Sequence, residues 1–537
     1  MSRRALAAAL AVLLGATLAC GSGTNMPAPT ATPTTLPDVQ GLPRAESLVL
    51  LGYEPTRRED IDPATFGGAT SGYKGLLFSG LVRFTPDLRL APDLARDWSI
   101  SADGLTYTFS LDPNAHFSDG SSVTADDVVY SWTRALDPET GVGPNAYLDD
   151  LLGAAALANG ESHVLEGVTA LDAQTLEVTL RAPNAYFLGK LTFPIAYIVQ
   201  RANVESDPDW WKDPVGSGPY RVREIVPYEA VTLERQDRSA HPPAIRYVVY
   251  LTNEGGNPLS LFEGGEIDWV GVYDEDARLI REPGHPLHAL LHSTTSLCTS
   301  YLEFNTNQPG LNNPDVREAL AVSIDRDKLF ATLIGVEDRR ATTLLPPGMP
   351  GFQTRPEPVF DPAAARAALA RSGYKPEDLT LRFSVTGSSN RIGDLIGAIT
   401  QGWRDTLGIS ATVQVLDWYD YGNAVKRHPT DVISTGWCAD YPDAQNFLDP
   451  IGHTDGSFND LGFSNATVDA WLDTARAETN AAERQTLYQQ AESWLLDQYV
   501  IVPIAHGASA SVVNARVQGY TLPPFDIALI PWLSLAP

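Results

Sequence analysis

From Arg44 onward, short apolar runs of strand length alternate with stretches of helical period, a pattern that predicts a mixed α/β protein. Leu48-Val49-Leu50-Leu51-Gly52 reads as a buried strand, and Asp62-Pro63 marks the turn beyond it. Tyr73 to Leu81 predicts a helix that ends at Gly80. Thr106-Tyr107-Thr108-Phe109-Ser110-Leu111 and Leu176-Glu177-Val178-Thr179-Leu180 alternate apolar and polar, as half-buried strands do. Between them Thr124 to Trp132 reads as a capped helix. Thr124 is the cap, and Asp126 and Asp127 lie in the first turn, where the helix dipole favours carboxylates. Residues 314–334 carry one continuous helical period, with Val316, Leu320, Val322, Ile324 and Leu329 on one side. Ala363 to Arg371 and Asn480 to Leu496 predict further helices. No internal repeat and no self-contained block stands out, so the chain is expected to cross between lobes more than once.

Length makes lobes necessary: the chain has 537 residues, and single cores stop growing near roughly 250–300. Its first 20 residues read as an export signal. Arg3 and Arg4 are followed by an apolar run from Ala5 to Ala19, which is short of the ~20 residues a membrane span needs. Thr17-Leu18-Ala19-Cys20 resembles a bacterial lipobox, with Cys20 as the site of lipid attachment. Thr17 departs from the usual aliphatic residue, and an ordinary cleaved signal is the alternative. Residues 21–43 are small, polar and Pro-rich, the composition of a semi-extended tether.

Charge narrows the partners. Against 38 Lys+Arg stand 66 Asp+Glu, a net charge of −28. Such a field repels phosphate backbones, so nucleic acid is not an expected partner. Besides Cys20 only Cys298 and Cys438 remain. In an exported protein they form either a disulfide or two buried thiols.

Catalytic signatures are scarce. There is no Gly-x-Ser-x-Gly elbow, no His-Glu-x-x-His, no phosphate-binding loop and no dinucleotide fingerprint. Ser71-Gly72-Tyr73-Lys74 matches Ser-x-x-Lys, but its companion motifs are absent, and a serine hydrolase is only a distant alternative. His285, His288 and His292 have spacings that metal ligands use. Pro283 and Pro286 break the N-terminal side of the stretch and no carboxylate motif completes a site, so a surface cluster is the better reading.

Several segments, in order and spacing, resemble the bacterial extracellular solute-binding protein family 5, the oligopeptide and dipeptide receptors of ABC importers. They include Gly80-Leu81-Val82, Ala91-Pro92-Asp93-Leu94-Ala95 with Trp98, Phe117-Ser118-Asp119-Gly120, and Val123 to Trp132. Gly216-Ser217-Gly218-Pro219-Tyr220, Gly265-Glu266-Ile267-Asp268, Phe304-Asn305-Thr306-Asn307 and Pro314 to Leu320 follow. The sharpest match is Gly436-Trp437-Cys438-Ala439-Asp440-Tyr441, which looks like the family's ligand strand. The resemblance implies that Asp440 salt-bridges a peptide α-ammonium and that the backbone of Gly436 and Cys438 pairs with the peptide, with Trp437 and Ala439 in the same strand. A receptor blind to side chains must read what all peptides share, and strand addition with a charged terminus does so. The resemblance also gives the peptide's other edge to Phe66-Gly67-Gly68-Ala69, a side-chain pocket to Trp418, and a disulfide to Cys298 and Cys438. Taken alone, Asp440 is also compatible with a turn residue before Tyr441-Pro442-Asp443, and Trp437 with plain core. Two departures stand out. Asp431 to Thr435 has no basic residue where the family places a partner for the peptide carboxylate, leaving Lys426, Arg427 or solvent. Residues 141–146 lack an aromatic that the family often uses.

The expected fold is a two-lobed clam shell of the periplasmic-binding-protein type (type II, class C) with an extra small domain. By resemblance, lobe I comprises 44–80, 186–295 and 505–537, the small domain 81–185, and lobe II 296–504. The implied function is an extracytoplasmic, lipid-anchored, monomeric receptor that is not an enzyme, needs no cofactor or metal, and hands peptides to ABC permease subunits. A nickel complex, haem or an oligosaccharide as ligand, or a role as peptide sensor, are the alternatives within the fold.

Overall fold

In the computed structural model, the structure describes residues 38–65, 72–140, 147–252, 256–332, 338–386, 390–416 and 429–536. Three sheets organise them. One runs in the order Ser47–Leu51, Tyr247–Leu251, Ala230–Arg235, Tyr220–Val226; the first pair is parallel and the others antiparallel. A second, antiparallel sheet is built from Ala95–Ile100, Thr106–Leu111, Thr175–Thr179 and Val168–Asp172. The third and largest runs in the order Trp269–Val272, Ile501–Val513, Leu291–Phe304, Val432–Cys438, Thr380–Thr386, Ser410–Leu416.

Its two long antiparallel strands, Leu291–Phe304 and Ile501–Val513, carry the architecture. At one end Trp269–Val272 pairs with Ala510 to Val513. At the other, Val432–Cys438 pairs with Cys298 to Phe304. Between Thr295 and Thr299 the register slips, a bulge that locally twists and bends the pair. The apolar cores divide accordingly. Leu48, Tyr73, Tyr220, Val248 and Val513 share one cluster, while Phe304, Leu320, Phe383, Trp403 and Ile504 share another.

The alternation of Thr106–Leu111 is realised, with Tyr107, Phe109 and Leu111 buried against Val128, Trp132 and Ala135. Helix Ala125–Leu136 starts where the sequence predicts. The Asp127 carboxylate accepts from both the amide and the hydroxyl of Thr124 at 2.9 and 2.7 Å, satisfying groups that a helix start leaves open.

Two predictions differ in detail. The helix expected over 73–81 is Tyr73–Leu77, and the chain is extended again at Phe78. The Gly216-Ser217-Gly218 loop takes over its end: the Gly218 amide donates to the Leu77 carbonyl at 2.9 Å and the Ser217 hydroxyl accepts from the Ser79 amide at 3.1 Å. A Cβ on Gly216 would sit 1.9 Å from the Leu77 carbonyl oxygen, so only glycine permits this approach. The helix expected over 314–334 is two, Pro314–Val322 and Arg326–Thr332. The Ser323 hydroxyl donates back to the Leu320 carbonyl at 2.9 Å, and the Asp325 carboxylate accepts from the Lys328 amide at 3.0 Å, starting the second helix afresh.

Gly265-Glu266-Ile267-Asp268 also acquires a physical reason. Asp268 is fully buried and accepts from Arg44 at 2.6 Å, Arg516 at 3.1 Å and the Val49 amide at 2.8 Å. A charge at that depth persists only when so partnered.

Candidate ligand-binding site

Strand Val432–Cys438 has two edges with different fates. One pairs with Leu291–Phe304 along its whole length. The other pairs in parallel with Thr380–Thr386, but only from Val432 to Ser434. From Thr435 to Cys438 no described strand covers it. The ladder alternates its hydrogen-bonding direction residue by residue. Because the Ala439 amide donates to the Leu297 carbonyl at 2.8 Å, the odd-numbered residues face the long strand. The backbone N–H and C=O groups of Gly436 and Cys438 therefore point to the open edge, and both residues are exposed.

Cys298 and Cys438 stand directly opposite each other in this ladder, at a non-hydrogen-bonded pair with Cα atoms 4.0 Å apart, and form a disulfide. The bond fixes the open-edged segment to the long strand just before Asp440.

Asp440 follows directly. Its amide donates to the Asn446 side-chain oxygen at 2.8 Å, and Asn446 Nδ2 donates back to the carboxylate at 3.1 Å. The same Asn446 oxygen accepts from the Trp437 indole at 3.3 Å. The intervening turn is held by Asp443, whose carboxylate takes both arms of Arg484 at 2.6 and 2.7 Å. Trp437 is only partly buried and meets the Phe458 ring edge-on at 4.3 Å, so it is neither fully core nor free. The Tyr147 hydroxyl also bonds the Asp440 carboxylate, and Tyr147 stacks flat on Phe193 at 4.0 Å. Burial raises the Asp440 carboxyl above the usual range, opposed by hydrogen bonds from Tyr147 and Asn446 and reinforced by the nearby charge of Asp526. Among the described residues no cation stands among the groups that act on it.

Asp440 lines a cavity of about 50 Å³ together with Arg83, Asp93, Tyr197, Asp526 and Trp532. Its walls thus come from chain segments far apart in sequence. Nearby, residues 185–193 close onto 441–484. Tyr186 stacks on Tyr441 at 6.1 Å, Arg484 lies over the Tyr186 ring at 5.5 Å, and the Ala185 amide reaches the Arg476 carbonyl at 3.4 Å.

Of the residues singled out from sequence, Gly436, Trp437, Cys438, Ala439 and Asp440 come together here with Cys298. Phe66, Gly67, Gly68, Ala69, Trp418, Cys20, Ser71, Lys426 and Arg427 lie outside the described residues. Tyr147, Asn446 and Arg83 were missed. Tyr147 stands immediately after the stretch 141–146 noted for its missing aromatic, and supplies one. His285 and His288 bond neighbouring backbone, and His292 packs against Tyr520. Among the described residues no group of three His, Cys, Asp or Glu is placed to hold a metal, and no helix is long and apolar enough to cross a membrane.

An edge strand thus ends in Asp440, beside residues drawn from distant parts of the chain. Residues 89–459 match the family model for bacterial extracellular solute-binding proteins, family 5 (middle), and the chain belongs to that family. It is 28% identical over 500 residues to the periplasmic oligopeptide-binding protein OppA of Escherichia coli, covering 90% of this chain and 91% of that one. It is 30% identical over 464 residues to the probable deoxycholate-binding periplasmic protein YgiS of the same organism, covering 83% and 85%. Among solved structures it resembles the Escherichia coli murein tripeptide binding protein MppA with a TM-score of 0.74 and 27% identity, covering 91% of this chain and 98% of that one. These neighbours are two-lobed solute-binding proteins, and the two-lobed α/β fold expected from sequence is the one found.

Proposed function

We propose that this protein captures oligopeptides outside the cytoplasm and delivers them to the permease of an ABC importer. The observation that carries the reading is the pairing of an open strand edge at Gly436 and Cys438 with the carboxylate of Asp440 at its end, which has no cation partner among the described residues. A peptide laid along that edge gains backbone hydrogen bonds whatever its sequence, and its α-ammonium meets Asp440. A sugar offers no such cation. Phe66 to Ala69 take the peptide's second edge and Trp418 lines a side-chain pocket. Lobe I comprises 44–80, 186–295 and 505–537, the small domain 81–185, and lobe II 296–504. The bulge at Thr295–Thr299 then falls at the lobe boundary, where closure needs a hinge. Cys20 carries the lipid anchor and 21–43 the tether, so a monomeric receptor stands off the membrane.

The class of ligand is tested by unfolding and refolding the mature protein, with its disulfide oxidised, to strip bound solute. It is then titrated with a pool of free tri- to pentapeptides, and separately with haem, a bile acid, a nickel chelate and a maltooligosaccharide. Tight binding confined to the peptide pool is expected. Binding of another class with none by peptides refutes the reading while leaving the family intact.

A further inference from the structure

Arg83 lies on strand Val82–Phe84 and lines the same cavity as Asp440. Its guanidinium rests over the Trp532 indole, 4.3 Å from the ring centroid. That stacking leaves the in-plane N–H fork free for an acceptor, because cation–π contact uses the face and hydrogen bonding uses the edge. The fork has no taker among the described residues. Nε is buried without a hydrogen-bond partner, and the only favourable charge acting on the group is that of Asp93, without a hydrogen bond between them. Asp93 is itself committed, accepting from the Ser79 hydroxyl and the Gly80 amide. A guanidinium held in position by an aromatic ring, with a buried N–H left over, is preorganised for a planar anion.

We propose that Arg83 is a specificity-determining residue that binds a carboxylate carried by the ligand within about one residue of its α-ammonium. The inference rests on Asp440 reading that ammonium. The cavity they share, about 50 Å³, has room for roughly three or four waters, or for the two head groups that displace them. An extended chain advances about 3.5 Å per residue, so a carboxylate that enters the cavity with the ammonium belongs to the first or second residue. Two sources fit that chemistry: the C-terminus of a dipeptide, and the side chain of an N-terminal Asp or Glu. Both replace an unmet charged donor with a bidentate pair. An amide at the same place offers one acceptor and no charge.

The stripped protein is titrated with two matched pairs: alanyl-phenylalanine against its C-terminal amide, and Glu-Ala-Ala-Ala amide against Gln-Ala-Ala-Ala amide. In the wild type the carboxylate member of at least one pair should bind about tenfold more tightly or better, as a charge-assisted bond would give. Discrimination in the first pair alone assigns the C-terminus, and in the second alone the side chain. In Arg83→Gln the ratio should fall to about twofold or less, and in Arg83→Lys, which keeps charge without the fork, it should fall in between. A thermal melt reports whether each variant is folded. If Arg83→Gln does not fold, the Arg83→Lys ratio decides, and an unchanged ratio there overturns the proposal. Equal affinity within both pairs in the wild type also overturns it. If N-acetylation still abolishes binding in that case, the peptide reading survives. Failure of every peptide to bind overturns both.

Discussion

Replacing Asp440 by Asn should affect the empty and the loaded receptor in opposite directions. In the empty protein the carboxyl is raised above its ordinary value, chiefly by burial. A raised folded-state value means that the folded protein holds the proton more tightly than the unfolded chain. The associated stability is fully present below the unfolded value and is lost as pH rises through the folded one. The higher the pH above that raised value, the more of this stability is gone. Asn removes the charge but keeps the shape: its oxygen accepts from Asn446 Nδ2, and its amide donates to the Tyr147 hydroxyl. The ligand-free variant should therefore melt at or above the wild-type temperature at pH 7, with the gap closing towards pH 4. With peptide the order reverses. Leaving an ammonium without its partner in a desolvated pair costs about 2–5 kcal/mol, roughly 30-fold to several-thousand-fold in Kd. At a concentration 100 times the wild-type Kd, peptide adds about 2.7 kcal/mol to the wild type and about 0.9 kcal/mol or less to the variant. Thermal melts with and without peptide, joined to calorimetric titration, measure both arms. A variant that binds peptide within threefold of wild type, or that melts well below wild type when empty at pH 7, refutes the assignment.

Other consequences are separately testable. Because Asp440 must be ionised to hold an ammonium and is raised when empty, peptide affinity should weaken on acidification earlier than an ordinary carboxylate requires. Binding should also release protons, seen as a dependence of the calorimetric heat on the buffer's ionisation enthalpy. Replacing Cys298 and Cys438 together by Ser should cost roughly 4–5 kcal/mol less native strain, for so long a loop; a loss under about 1 kcal/mol in urea denaturation contradicts the structural role. Glu303 is buried with one oxygen unpartnered, and burial pushes it up to about 8. Its contribution is present below its unfolded value and is lost as pH rises towards 8, so Glu303→Gln should flatten the fall in melting temperature between pH 5 and 8. Gly216→Ala forces a Cβ into the Leu77 carbonyl and should destabilise by about 1–3 kcal/mol, read as a lowered urea midpoint.

What the sequence reveals is what local chemistry dictates. The alternation of Thr106–Leu111, the Thr124 start and the Asn480 start all depend on neighbours within a turn or two, and each is realised. The strand holding Asp440 is legible because its motif is contiguous. The break at Ser323–Asp325 was hidden because an apolar period can continue in register across a change of axis. The early end of helix Tyr73–Leu77 was hidden because its cause, Gly216 to Gly218, lies far along the chain. The rest of the cleft shares that difficulty. Tyr147 meets Asp440, and Arg83 and Trp532 share its cavity, only through tertiary folding, and nothing beside Arg83 or Trp532 in sequence marks either as cavity-lining. Asn446 had the best local signal, an amide placed after a Pro-Asp turn within reach of the strand it supports.

The central claim is that the α-ammonium of a peptide is what Asp440 receives. It is tested most directly by titrating one stripped preparation with one peptide in two forms, free and N-acetylated. The account predicts tight binding of the free form and a loss of at least 30-fold on acetylation, with no such difference remaining in Asp440→Asn. Equal binding of both forms by the wild type would contradict it.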